Sequence, residues 1–124
     1  MINLMFFALL LLFIKHFICD FPLQSFPWMY RNKGTYLHLG GITHAAIYSL
    51  ATFAILAYWL GLAAWVWALI DMLIHYHIDW SKMNLSAKFN LKTDNSEWFW
   101  ILLGFDQLLH HVTYFAIVYF AFKI

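Results

Sequence analysis

From Trp98 to Phe122 the chain is apolar over about a bilayer's thickness, broken at one place by Asp106-Gln107-Leu108-Leu109-His110-His111. An aspartate and a histidine four residues apart share one helix face, about 6 Å apart along the axis. Ionisable groups at such depth are expensive and usually face a bundle interior, where a partner stands. A chain built this way must therefore fold several apolar helices around that face. The rest of the sequence supplies partners at matching depth: His16 with Asp20, His44, and His75 with Asp79.

Composition bears the point out. The 124 residues are 65% hydrophobic, 22% aromatic and 10% charged, against about 25% charged in soluble domains. One domain of this size could not hide so much apolar surface in water, so an all-α, integral membrane four-helix bundle spanning residues 1–124 is expected. The net charge of +1 says nothing about nucleic acid, no basic cluster is dense enough to suggest it, and no nucleic-acid partner is expected. The lone Cys19 excludes an internal disulfide and a cysteine-based zinc site. The first apolar run has no basic residue before it and no small-residue cleavage site after it, so it reads as an uncleaved helix.

Four spans are expected, over about residues 2–19, 41–60, 62–80 and 97–122. The stretch from Phe21 to Leu37, with Pro22, Pro27 and Gly34, reads as a structured loop or short interfacial helix. A tight turn at Gly61 makes spans two and three a hairpin, and Ser81 to Ser96 reads as a polar loop. As one helix the fourth segment would be about 39 Å long, so it should protrude or bend at Gly104. Lys15, Arg31, Lys33, Lys82, Lys88 and Lys92 fall on the loop side, and only Lys123 on the other. The excess of positive charge in cytoplasmic loops then puts both termini on the non-cytoplasmic side of a bacterial inner membrane. Tryptophans form two interfacial belts, Trp59 and Trp65 near the turn and Trp28, Trp80, Trp98 and Trp100 on the loop side.

Chain direction adds a further regularity. Spans one and three run toward the loops and end in His-x-x-x-Asp; span four runs back and carries the motif reversed. In each, the aspartate lies nearer the loop side and the histidine one turn deeper. His44 starts the second span at the same level. The expected metal ligands are His16, His44, His75, Asp79, Asp106 and His110. Imidazoles with carboxylates suit zinc first, with manganese or iron as alternatives. Asp20, Asp79 and Asp106 are the candidates for catalytic carboxylates, as ligand, base or orienting group. Gln24, Gln107, Lys33 and Lys82 are candidates for holding an anionic headgroup or a carboxylate. His38, His77 and His111 lie off the main faces and read as interfacial or structural, and the role of Asp71, two turns deeper than Asp79, stays open. The aromatic excess reads as core and lipid contact.

His16-Phe17-Ile18-Cys19-Asp20-Phe21-Pro22-Leu23-Gln24 resembles the opening signature of a family of small bacterial and phage membrane proteins known only as a domain of unknown function. Lys33-Gly34, Thr43-His44-Ala45, His75 to Lys82 and Asp106-Gln107-Leu108-Leu109-His110 extend the resemblance, in order, over nearly the whole chain. It implies a compact helical membrane domain and a phage-encoded origin, without an activity. The His/Asp pattern is also similar, at fold level only, to membrane-bound metal-dependent hydrolases.

The function expected is metal-dependent hydrolysis of a lipid or lipid-linked substrate near the cytoplasmic leaflet, with membrane lipids as partners and homo-oligomers open. Alternatives are a metal-ion or proton transporter or channel component, a haem-binding bundle with axial histidines, and a small structural or interaction protein whose polar cluster fixes helix packing.

Overall fold

The computed structural model describes residues 2–22, 26–92 and 95–123. Among them there is no strand. Four long helices, α1 (Ile2–Asp20), α3 (Leu39–Leu60), α4 (Ala64–Lys88) and α5 (Glu97–Lys123), are joined by the one-turn α2 (Pro27–Tyr30) and a 3-10 turn at Gly61–Ala63. Three stretches are long and apolar enough to cross a membrane: Ile2–Asp20, Leu39–Lys88 and Glu97–Lys123. The second is folded back on itself at the Gly61 turn, which makes it the helix pair α3 and α4. The chain thus holds four helical limbs, as expected.

The turn works because Gly61 holds φ 60° and ψ −140°, a conformation that L side chains rarely adopt. Its amide still caps α3 by bonding Ala57 O. Gly40 has a different reason. A Cβ there would stand 2.3 Å from Trp28 O, so only glycine lets the α2 segment lie directly on the start of α3.

α1 packs on α3 and α5, and α4 packs on α3 and α5. The diagonal pairs α1–α4 and α3–α5 make no backbone contact, so the helices stand at the corners of a square. Side chains that bridge the square fix the directions. Lys15, His16 and Asp20 meet Thr52, Tyr48 and His44 in turn, so α1 and α3 are antiparallel. Lys15 meets Asp71 while Asp20 approaches His75, so α1 and α4 run the same way.

Two elements differ from the sequence reading. α4 runs on from Trp80 through Ser81-Lys82-Met83-Asn84-Leu85-Ser86-Ala87-Lys88, which holds no glycine or proline to stop it. It ends at Phe89 and Asn90, the latter in the left-handed region (φ 51°). α5 is continuous across Gly104, about 40 Å long at 1.5 Å per residue, so the helix is not interrupted there. Lys15, expected among the loop-side cations, is instead 5% exposed inside the bundle. Its ammonium bonds Asp71 Oδ2 at 3.2 Å and Thr52 Oγ1 at 2.9 Å, above the face of the Tyr48 ring.

At the Gly61 end the square is filled by apolar side chains: Ala8, Leu9, Leu12, Leu56, Ala64 and Val118. At the loop end it is filled by polar ones.

Candidate metal centre

Each helix brings a polar stripe with a step of about four residues, the spacing that keeps side chains on one face. α1 contributes His16 and Asp20, α3 His44, Tyr48 and Thr52, α4 Asp71, His75 and Asp79, and α5 Asp106, His110 and Tyr114. All of these are buried. Since the four stripes face the centre of the square, they converge into one column.

Its loop-end part contains two donor groups. Asp20, His44, His75 and Asp79 each place one ligand atom within 4.8 Å of the others, and so do Asp79, Asp106 and His110. In the first group His44 Nε2 lies 3.1 Å from Asp20 Oδ1, 3.4 Å from Asp79 Oδ2 and 3.0 Å from His75 Nε2. His75 Nε2 lies 3.0 Å from Asp79 Oδ2 and 3.8 Å from Asp20 Oδ1. Ligand atoms about 2.0–2.1 Å from a tetrahedral zinc stand about 3.3–3.4 Å apart, and these separations scatter around that value. In the second group His110 Nε2 lies 3.4 Å from both Asp79 Oδ1 and Asp106 Oδ1. The two oxygens of Asp79 therefore face different groups, as a bridging carboxylate does.

The donors are poorly satisfied by one another. Oδ1 of Asp79, Oδ1 of Asp106 and Nε2 of His110 are buried without an aligned hydrogen bond. Buried polar atoms left in that state cost about 1–3 kcal/mol each, which a cation between them would offset. His44 Nε2 and His75 Nε2 face each other and can share only one hydrogen. The same holds for His75 Nδ1 and His110 Nδ1 at 3.1 Å. With Nε2 of both rings given to metal, each Nδ1 would carry a proton and this last contact would open. The residues fit a divalent metal by donor type, by spacing and by their unmet hydrogen-bonding capacity.

His16 stands beside both groups in a different role. Its Nε2 donates to Gln107 Oε1 at 2.6 Å, and its Nδ1 accepts from the hydroxyls of Tyr48 and, at 2.8 Å, Tyr114. Gln107 Nε2 in turn donates to Asp106 Oδ2 at 3.0 Å. A chain of hydrogen bonds thus runs from two tyrosines through His16 and Gln107 to Asp106, and such outer partners orient a ligand carboxylate. Both ring nitrogens of His16 are engaged with Gln107 and the two tyrosines, and it belongs to neither donor group. The Tyr48 ring also stacks on His75, centroids 3.7 Å apart.

Lys33 and Lys82, the expected headgroup cations, each stand beside a carboxylate of the donor groups. Lys33 Nζ lies 3.2 Å from Asp79 Oδ2 and Lys82 Nζ 3.6 Å from Asp106 Oδ2. Gln24 lies outside the described residues. His38 caps α3, accepting from Gly40 N at 2.9 Å, and His77 bonds Tyr36 and the Leu73 carbonyl. His111 packs edge-on against Phe13. None of these three joins a donor group.

The sequence reading counted Tyr48 and Thr52 only among the few polar groups of the outer half of the bundle, and passed over Tyr114 and the inward turn of Lys15. The signal was available: Tyr48 follows His44 and Tyr114 follows His110 by four residues, continuing each stripe one turn deeper.

No curated protein and no solved structure matches the chain. Residues 8–124 match the family described as "Protein of unknown function (DUF3307)", and the chain belongs to that family.

Proposed function

We propose that this chain is a metal-dependent hydrolase acting on a lipid or lipid-linked substrate, with a two-metal centre near the cytoplasmic leaflet of a bacterial inner membrane. The observation that carries the reading is the division of the Asp79 carboxylate between two donor groups of unequal number. Four donors close a tetrahedral site, whereas three leave a position for water or substrate. Metal bound there would lower the pKa of that water and stabilise charge developing on the substrate, two ions being clamped about 3.5–4 Å apart in such centres. Asp20, His44, His75 and Asp79 would hold the closed position, and Asp79, Asp106 and His110 the open one. His16 and Gln107 would orient Asp106, leaving its Oδ1 for the metal. Lys33 and Lys82 would balance part of the negative charge of three carboxylates.

A transporter uses similar ligands, and the polar column does extend one turn beyond the histidines to Lys15 and Asp71. It ends there. Beyond Thr52, Lys15 and Asp71 the buried residues include Leu56, Leu12 and Ala64, and among the described residues no buried polar side chain continues the column. A blind polar chamber suits catalysis better than conduction.

The test is metal content by mass spectrometry on protein purified without chelators. About two equivalents per chain are expected. Asp106→Asn should leave about one, and Asp79→Asn, which removes the bridge, less than one, each in protein that still elutes as a folded species. Wild-type protein without metal at any stage from native membranes overturns the reading.

A further inference from the structure

One member of the three-donor group, Asp106, borders an open cavity. Asp106 and Lys82 line a cavity of about 540 Å³ between α4 and α5, whose walls are otherwise mostly apolar, among them Leu73, Ile78, Phe105 and Leu109. The four-donor group lies apart from this seam: among the described residues Asp20, His44, His75 and Asp79 are all buried, and none of them lines the seam's cavities. The cavity continues in both directions along the α4–α5 seam. Through Ile74, Ile78 and Leu109 it joins a deeper cavity of about 420 Å³ that ends at Trp67 and Phe120. Through Leu85, Leu102 and Phe105 it joins one of about 750 Å³ bounded by Phe89 and Trp98.

The polar points of this seam are unevenly placed. His77, Ser81, Lys82 and Asp106 lie in the middle section, whereas the deeper section carries only Thr113 among apolar residues. Lys82 is 19% exposed, against 5% for Lys33, so its ammonium is the one within reach of a ligand in the seam. With the Asp106 carboxylate taken up by metal, a ligand lying there would be apolar over one to two helical turns and anionic at the level of Lys82.

We propose that the α4–α5 seam binds a single-chain amphiphile with a phosphate headgroup, its tail in the deeper section between Ile74 and Phe120 and its phosphate at Lys82 and the three-donor group. This names the substrate class for the hydrolase and rests on that reading. A phosphate ester suits two cations and a lysine, because its non-bridging oxygens carry the charge that such groups stabilise. The reaction consumes one water: its oxygen bonds to phosphorus, the P–O bond to the lipid alcohol breaks, and the leaving oxygen takes up one of the water's protons. The products are the free lipid alcohol and inorganic phosphate.

The experiment is photolabelling in nanodiscs of zwitterionic lipid with a dodecyl phosphate that bears a diazirine near its chain end. Labelled positions are mapped by mass spectrometry, and metal content is measured on the same samples. Label is expected on Ile74, Val112 and Phe120, competed by plain dodecyl phosphate and not by dodecyl maltoside. Lys82→Gln should cut the labelling about fivefold, the worth of one lysine beside an anionic headgroup. Ile74→Trp, which fills the seam, should abolish it while leaving metal content unchanged, and Leu109→Trp serves if that variant does not fold. Label spread evenly over all lipid-facing helices, or indifferent to both the headgroup and the lysine, overturns the proposal. Phosphate-selective labelling in protein that holds no metal supports the seam and sinks the hydrolase. Metal without selective labelling does the reverse.

Discussion

Lys15 and Asp71 show what a single pair does in a bundle this small. Both are nearly fully buried, and the ammonium is held by a carboxylate, a hydroxyl and an aromatic face. Removing one member of a buried pair strands the other, typically at about 3–5 kcal/mol, while replacing both by apolar groups of similar size is near neutral. Lys15→Met alone should therefore lower the thermal midpoint in detergent sharply, and Lys15→Met with Asp71→Leu should recover most of the loss. Equal damage in the single and double variants would contradict the pairing. This pair also shows where sequence reading stops. The His/Asp stripes were legible because their order reverses with chain direction, which needs only the helix period and the number of spans. Lys15 was not, since a lysine near a helix end is ordinarily interfacial, and its neighbour His16 points to the same cluster. Tyr48 and Tyr114 were hidden by abundance. In a chain that is 22% aromatic, two tyrosines at the right step stand out only once their hydroxyls are seen on His16.

Among the elements, the α3–α4 hairpin depends on one backbone conformation. Nothing lies within 4 Å of a Cβ added at Gly61, so Gly61→Ala would meet no steric conflict and isolates the backbone term. Residues held in such regions cost about 1–3 kcal/mol, and a loss of that size in reversible unfolding is expected. An unchanged midpoint would mean that the turn relaxes freely. The long helices were legible from apolar windows of bilayer length, which admit few other structures in lipid. The last two turns of α4 were not, because a polar stretch with good helix formers reads as loop unless something extends the helix into it. Here Asn84 bonds the Gly34 carbonyl, and Lys82 reaches back to Asp106. The extension is thus tied to the loop before α3 and to α5.

At the scale of the molecule, four helices at the corners of a square enclose a chamber that is polar at the loop end and apolar at the Gly61 end. With Lys15 inside the bundle, Arg31, Lys33, Lys82, Lys88 and Lys92 remain at the loop end against Lys123 at the other. That imbalance still predicts cytoplasmic loops. A phosphatase fused after Lys123 should be active and one fused within residues 89–92 inactive, and the opposite pattern would invert the orientation. The diagonal bond from Lys15 to Asp71 also bears on how the chain enters the membrane. A lysine raises the insertion free energy of a span by up to about 2.5–3.5 kcal/mol, the value at a helix centre, and by less toward its end, where Lys15 lies. During synthesis α1 leaves the ribosome well before Asp71 exists, so for that interval the helix carries an unanswered charge. A chain truncated after Leu60 should wash out of membranes in alkaline carbonate far more readily than the full chain, and Lys15→Leu should anchor the truncated form. The first helix of this protein is thus seated by the third of its four long helices, and until then it waits.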